Sequence, residues 1–279
     1  MITPKSLLLA NLPTPIQKIY FNDSQFFIKR DDYTGMELSG NKIRKLEFLL
    51  YEALRNKSDY VFTRGGEQSN HARATAIAAA SLGIKSKLFL WGPERKNYDG
   101  NMFLDKMVNA EIVFMNWKEY QSVKERMEIE KEKMEKKGHR VTVITEGGSS
   151  PLGIWGYINF VTELTKQINP KMFKGILSSC GSGGTSAGLL VGCALFGLEY
   201  KIFAVNVFCN EKHFREKILN LADECIKKYK LNCKIDPKNL EVIEGYSLEG
   251  YKKIQPKKLK VIKEFAAQTG IIFDPVYTG

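Results

Sequence analysis

The chain reads as an α/β protein built on mainly parallel sheets, and three features of its 279 residues predict this. Short runs rich in β-branched and aromatic residues alternate with helical stretches along the chain. Glycine-rich turns at Gly65-Gly66, Gly147-Gly148 and Gly181 to Gly188 each follow a strand-like run and lead into a helical one. The hydrophobic fraction of 43%, with 26% charged residues, is enough for a large core, which at this length predicts two domains.

The elements follow in order. Residues 1 to 38 form an extended lead-in. Leu12-Pro13-Thr14-Pro15 is excluded from helix interiors, and Gln25 to Arg30 is a short strand before the polar turn Asp31 to Gly35. Ile43, Leu46, Leu49, Leu50, Ala53 and Leu54 recur at helical spacing, predicting a helix from Lys42 to about Asn56 with Ser39 as its N-cap. Asp59 to Thr63 is a buried strand running into Arg64 to His71, which opens an alanine-rich helix, Asn70 to Leu82, able to pack closely on a sheet. Lys87 to Trp91 is a strand, Asn101 to Asn109 a helix and Glu111 to Met115 a strand. Lys118 to Lys137 is one charge-laced helix with Glu/Lys neighbours at i+3 and i+4, read as a solvated face. Val141 to Thr145 is a strand and Leu152 to Asn169 a helix. The strand Gly175 to Ser179 then enters the long glycine turn and an apolar helix ending at Phe196. Strand Ile202 to Phe208, helix Phe214 to Tyr229, strand Leu240 to Glu244 and helix Lys257 to Thr269 complete the order.

Bulk properties exclude several functions. Net charge is +11, but the lysines are spread among glutamates and no zinc-finger, RNP-like or KH-like pattern occurs, so nucleic acid is not an expected partner. No run could span a bilayer, and Leu7 to Ala10 is too short for a signal segment. Five cysteines, an odd number without C-x-x-C, predict reduced thiols in a cytosol-like compartment. Three histidines without i, i+4 spacing predict no metal site.

Three stretches carry candidate chemistry. On the Lys42 helix, Lys42 shares a stripe with Leu46, Leu49 and Ala53, whereas Lys45 lines up with Glu52 and Asn56 on a wetter face. Lys42 therefore sits at the positive end of a helix and faces inward, where desolvation and the helix dipole both favour the neutral amine. Such an amine attacks aldehydes; a snorkelling lysine at a helix start fits the same positions. The Gly181 to Gly188 turn places backbone N–H groups at a helix start, a phosphate site. It lacks the Gly-Lys-Ser/Thr of a Walker loop. Ser186 stands where a dinucleotide fingerprint needs glycine, and Asn206, Val207 and Phe208 supply no ribose-binding acid. What remains is a smaller phosphate-bearing cofactor, or a tight turn that binds nothing. In Gln68-Ser69-Asn70-His71, Ser69 caps a helix whose free N–H groups suit a substrate carboxylate; a plain cap is the other reading. A nucleophilic lysine, a phosphate cradle without nucleotide features and a carboxylate pocket together fit one cofactor, pyridoxal 5'-phosphate.

From Leu12 to Gly279 the chain resembles the family of D-cysteine desulfhydrases and 1-aminocyclopropane-1-carboxylate deaminases, pyridoxal-phosphate enzymes of the tryptophan-synthase-β-like fold, fold type II. The resemblance rests on Lys29-Arg30-Asp31-Asp32, Gly40-Asn41-Lys42-Ile43-Arg44-Lys45-Leu46-Glu47, Gln68-Ser69-Asn70-His71, Gly147-Gly148-Ser149, Gly181-Ser182-Gly183-Gly184-Thr185, Gly250-Tyr251 and Asp274-Pro275-Val276-Tyr277-Thr278-Gly279. It implies a large cofactor-binding domain of residues 1–42 plus 154–279 and a small α/β domain of residues 43–153. It further implies that Lys42 matches the lysine that bonds the cofactor and moves the substrate's α-proton. Asn70 matches the residue near the cofactor's phenolic oxygen. Ser69, with the N–H groups of Asn70 and His71, matches the substrate-carboxylate site. Ser182, Gly183, Gly184 and Thr185 match the phosphate cup. Tyr251 and Tyr277 match tyrosines that flank the substrate, with Tyr246 close to Tyr251 as the other candidate. Thr278 falls beside the pyridine nitrogen.

The implied activity is β-elimination of D-cysteine, or a related β-substituted amino acid, to pyruvate, ammonia and sulfide. Ring-opening deaminases resemble Pro-Val-Tyr-Glu-Gly where this chain has Thr278, and glutamine is expected in them at His71. Cyclopropane-carboxylate deamination is the alternative. Family members continue past this point with a strand, helices and a His-Thr-Gly-Gly turn. The chain therefore reads as C-terminally truncated, and a catalytically inactive binding remnant is the alternative of another class. The expected setting is a cytoplasmic homodimer acting on a small amino acid, without nucleic acid, membrane or metal.

Overall fold

Strand and helix alternate as the patterning predicts. The computed structural model describes the chain apart from Met1, Met36, Leu38, Ser39, Arg95, Lys96, residues 208–213 and 248–252, and Gly279. The element order is β1 (Ile16–Phe21), β2 (Ser24–Lys29), α1 (Lys42–Arg55), β3 (Tyr60–Gly66), α2 (Asn70–Ser81), β4 (Lys85–Trp91), α3 (Gly100–Met107), β5 (Glu111–Met115), α4 (Trp117–Tyr120), α5 (Val123–Lys136), β6 (Val141–Val143), α6 (Trp155–Gln167), β7 (Gly175–Cys180), α7 (Gly184–Leu195), β8 (Lys201–Asn206), α8 (Phe214–Tyr229), β9 (Leu240–Ile243) and α9 (Pro256–Thr269). These fall into two units. Unit 1 holds Met1–Thr3, Pro13–Arg30 and Tyr157–Gly279; unit 2 holds Pro4–Leu12 and Asp31–Gly156.

Unit 2 is built on a parallel sheet of order β5-β4-β3-β6. Side chains alternate across a strand, and β4 shows it: Phe89 packs with Tyr60, Phe62, Met115, Tyr120, Val123, Met127 and Met134, while Leu88 and Leu90 pack with Ala72, Ala76 and Ala110. The alanines of α2 supply that second layer. The expected single helix over Lys118 to Lys137 is instead two. Asn116 and Glu119 form a capping box that starts α4, and the chain turns at Gln121 and Ser122 before α5 buries Val123, Met127 and Met134.

Helix α1 differs most from its predicted amphipathic form. Every residue from Ile43 to Leu50 is buried, including Arg44, Lys45 and Glu47. Each of these charges has a partner. Arg44 forms a two-pronged ion pair with Asp31, at 2.9 and 2.8 Å. Lys45, only 1% exposed rather than on a wet face, donates to the Gly147 carbonyl at 3.1 Å. Glu47 accepts from the Leu9 and Ala10 backbone N–H groups, both at 2.9 Å. Ser39, the expected cap, lies outside the described residues. Asn41 stands at the N-cap in helical conformation without a side-chain cap bond, because its amide oxygen accepts from Lys42 Nζ at 3.0 Å.

Unit 1 contains the parallel sheet β7-β8-β9 and an antiparallel hairpin, β1-β2. The hairpin occupies the expected lead-in and turns at Asn22 and Asp23, whose φ values of 44° and 59° are those of a two-residue hairpin loop. Lys29 anchors it, donating to Thr14 O, Gln167 and Glu163 of α6.

The loop that receives Lys45 is fixed by a close approach. A Cβ at Gly153 would lie 2.0 Å from the Gly148 carbonyl oxygen. Gly153→Ala should therefore push residues 147–148 off Lys45 and destabilise the protein by about 2 kcal/mol or more. Urea unfolding of the variant against the parent protein measures this.

Candidate active site

The predicted site residues lie on both units. In unit 2, Lys42 opens α1, half-buried, its Nζ donating to Asn41 Oδ1. The β3–α2 turn carries Ser69, Asn70 and His71. Ser69 takes an extended conformation and its hydroxyl accepts from Ala72 N at 3.2 Å, while Arg73 N bonds Ser69 O at 3.1 Å. The first-turn N–H groups of Asn70 and His71 have no acceptor among the described residues, and the Ser69 hydroxyl keeps its proton to give. This arrangement suits a carboxylate at the positive end of α2.

The His71 ring is turned away from that role. Thr63 donates its hydroxyl proton to Ile144 O at 2.9 Å, so its oxygen accepts from His71 Nε2–H at 3.0 Å. Burial first, then the charges of Lys42 and Lys45, push the His71 pKa down to about 3. His71 is thus a neutral, internal ring, and its contribution to an anion is its backbone N–H. Helices α1 and α2, which carry the Lys42 amine and this turn at their starts, pack against each other within unit 2.

Asn70 belongs to a network that the sequence did not reveal. Asn101 Nδ2 donates to Asn70 Oδ1 and to the Gln68 carbonyl, both at 2.8 Å, and Asn101 N–H donates to Gln68 Oε1 at 2.8 Å. Gln68 Nε2 in turn bonds Asp99 O and Oδ1, at 3.2 and 3.0 Å. The one local signal was Gly100-Asn101 at a helix start. Behind this turn, Asp105 is 1% exposed with neither oxygen hydrogen-bonded among the described residues. Desolvation raises its pKa to about 7, against the pull of Arg73.

In unit 1, β7 runs into the bend Gly181 to Gly183 and then α7. Gly183 is the N-cap at φ +91°, a left-handed conformation, and a Cβ there would lie 3.2 Å from Ile218 Cγ1. Ser186, the residue that broke the dinucleotide pattern, ties the bend: its hydroxyl meets Cys180 Sγ at 3.3 Å. Thr185 is buried and Ser182 half-buried at this helix start. Farther along, Asp274 organises the last described turn. Its carboxylate accepts from Val276 N and Tyr277 N at 2.9 and 2.7 Å, and its carbonyl accepts the Thr278 hydroxyl at 3.1 Å. Tyr277 and Tyr246 line one narrow cleft with Asn206, Ser247, Pro275 and Val276. Tyr251 lies outside the described residues. Among those described, no group of histidine, cysteine and acidic side chains could hold a metal ion.

Comparison with known proteins bears on this geometry. The family model described as "Pyridoxal-phosphate dependent enzyme" matches residues 7–279. A Thermotoga maritima protein bearing the provisional name 1-aminocyclopropane-1-carboxylate deaminase is 42% identical over 278 residues, spanning 97% of this chain and 87% of its own. The Arabidopsis thaliana mitochondrial bifunctional D-cysteine desulfhydrase/1-aminocyclopropane-1-carboxylate deaminase is 38% identical over 286 residues, spanning 97% of this chain and 70% of its own. The crystal structure of an ACC deaminase homologue superposes with a TM-score of 0.88 at 34% identity, covering 99% of this chain and 84% of that one. A hydrogen sulfide-producing enzyme of Fusobacterium nucleatum, at 14% identity and a TM-score of 0.63, shares the fold.

His71 and Asp105 titrate with opposite effect. The unfolded chain protonates His71 below its ordinary 6.5 while the folded one resists to about 3, so this group's stability falls as pH drops below 6.5. Folded Asp105 holds its proton to about 7 against an ordinary 3.8, so its contribution is fullest in acid and is lost as pH rises through 7. Between pH 5 and 7 the two offset. His71→Gln should then be more stable at pH 5 than at pH 7 by about 2 kcal/mol relative to the parent protein, and Asp105→Asn less stable by about the same. Denaturant titrations of the cofactor-free protein at both pH values measure this.

Proposed function

The chain belongs to the pyridoxal-phosphate dependent enzyme family, and from that premise we propose that it is a lyase converting D-cysteine, or a related β-substituted amino acid, with water to pyruvate, ammonia and sulfide. Its residues fit the cofactor on two observations. The Gly183 bend takes a left-handed φ of +91° that disfavours any side chain and opens α7 at the helix's positive end, as a phosphate cup requires. The Lys42 amine is half-buried at the start of α1, which packs against the helix opened by the turn that suits a carboxylate. When bound, pyridoxal phosphate supplies an electron sink that acidifies the α-proton of an attached amino acid.

The chain's own groups do the rest. Ser182, Gly183, Gly184 and Thr185 hold the phosphate. The N–H groups of Asn70 and His71 and the Ser69 hydroxyl orient the substrate carboxylate. Lys42 Nζ would anchor the cofactor and, once free, would take the substrate's α-proton as the β-sulfur group leaves. Tyr277 flanks the substrate, and by resemblance Tyr251 does also. A cytoplasmic homodimer remains part of this proposal; Cys180, Cys193 and Cys225 are buried thiols outside any disulfide, which suit a reducing compartment.

The observation that carries the choice of substrate is Thr278. A carboxylate beside the pyridine nitrogen keeps that nitrogen protonated; Thr278 is neutral, and its proton is committed to the Asp274 carbonyl. A weaker sink suits departure of sulfide, a good leaving group, better than opening of a cyclopropane ring. The second reading, 1-aminocyclopropane-1-carboxylate deamination, is favoured by the names of the Thermotoga and Arabidopsis relatives.

Purified protein loaded with pyridoxal phosphate should release sulfide and pyruvate from D-cysteine faster than 2-oxobutyrate from the cyclopropane substrate. The opposite ranking would replace the proposal with the second reading. Lys42→Ala should lose turnover by about 10³-fold or more together with the visible absorbance of the lysine-bound cofactor. Thr278→Glu should raise ring opening relative to sulfide release by about tenfold, corresponding to a change of roughly 1.4 kcal/mol in relative barrier.

A further inference from the structure

We propose that Asn101 is a positioning residue that fixes which end of the Asn70 amide is offered to the cofactor. The inference rests on the assignment of Asn70 to the cofactor's phenolic oxygen. Amide nitrogen and oxygen are told apart by their partners, and here the partners leave no choice. A backbone carbonyl only accepts, so the Asn101 atom at 2.8 Å from Gln68 O is its NH2 group. That same nitrogen meets Asn70 at 2.8 Å, so the Asn70 atom facing it is the carbonyl oxygen. The Asn70 NH2 is thereby left as the outward end, with no acceptor among the described residues.

Asn101 is itself held on both sides. Its backbone N–H, which can only donate, meets Gln68 Oε1 at 2.8 Å. Gln68 Nε2 meets the Asp99 carbonyl, which can only accept, at 3.2 Å. The Gln68 side chain is thus set at both ends and holds the Asn101 backbone, while the Gln68 backbone carbonyl sets the Asn101 amide and, through it, that of Asn70. A donor aimed at a phenolic oxygen favours its anion and lowers the pH at which the lysine-bound cofactor gives up its proton. An Asn70 amide free to rotate would have to be ordered at the moment it meets that anion, and would stabilise it less than one already held in place. The supporting residues around a reactive group act in this way in designed and natural sites alike.

The test is a pH titration of the visible band of the protein loaded with pyridoxal phosphate, for the parent protein and for Asn70→Ala, Asn101→Asp and Asn101→Ala. Asn101→Asp keeps the shape but offers only acceptors, so it draws the Asn70 NH2 inward; Asn101→Ala frees the amide without adding charge. All three should move the titration midpoint upward by up to about one pH unit; Asn101→Asp, which sets an acceptor against the Gln68 carbonyl, should lower the thermal midpoint more than Asn101→Ala. If Asn70→Ala moves the midpoint and both Asn101 variants leave it at the parent value, Asn101 does not position the amide. If Asn70→Ala leaves it unmoved, the assignment of Asn70 fails and the inference with it, while loss of the band in Lys42→Ala still stands for the proposed lysine. Either Asn101 variant that folds suffices for the comparison.

Discussion

Burying ionised side chains inside α1 is the constraint on which unit 2 depends. Arg44, Lys45 and Glu47 sit in a helix with no wet face along that stretch. Removing one partner from a buried pair costs several kcal/mol, because the remaining charge stays in a poor solvent. The chain therefore has to deliver Asp31, the Gly147 carbonyl and the Leu9 and Ala10 amides to fixed places around one helix. Three segments distant in sequence are registered against α1, and a helix gripped on three sides neither slides nor rotates. Lys42, one residue before the gripped stretch, inherits that precision.

Both units use the same device at their strand ends. In a parallel sheet each strand hands over to a helix at its carboxyl end, and the positive helix start is where ligands gather. The solutions differ in chemistry. At α2 a serine caps the helix and a neutral histidine is sunk beneath it, leaving two amides for an anion. At α7 a left-handed glycine replaces the cap and a serine–cysteine contact ties the bend. By charge and size the first suits a small carboxylate and the second a phosphate.

Local chemistry was legible in the sequence; relations across space were not. Glycine turns and apolar spacing located β3, α2, β5, β7, α7 and α8 to within a few residues, because punctuation and period are written in adjacent residues. The β1–β2 hairpin was missed, although Asn22-Asp23 between two aromatic runs was a usable turn signal. Lys45 was assigned to a wet face because a helical wheel presumes that solvent covers one side; α1 has partners all round. Ser69, Asn70 and His71 were found as a motif, but that the His71 ring faces Thr63 and that Asn101 grips Asn70 depend on β3 and α3 being neighbours of α2. The proposed choice of substrate rests on the single uncharged position Thr278, which pattern alone ranks weakly.

The hairpin of unit 1 has a partner far along the chain. Ile19, with Phe21, Phe26 and Ile28, packs on Phe265 of α9 and on Ile271 and Phe273 just after it. A ribosome releases the hairpin before α9, with residues Asp31–Gly156 of unit 2 made in between. Unit 2, apart from its short Pro4–Leu12 arm, is continuous and can complete its sheet during that wait. The aromatic face of the nascent hairpin therefore stays uncovered until α9 has been made, an apolar surface that a chaperone can shield in the meantime.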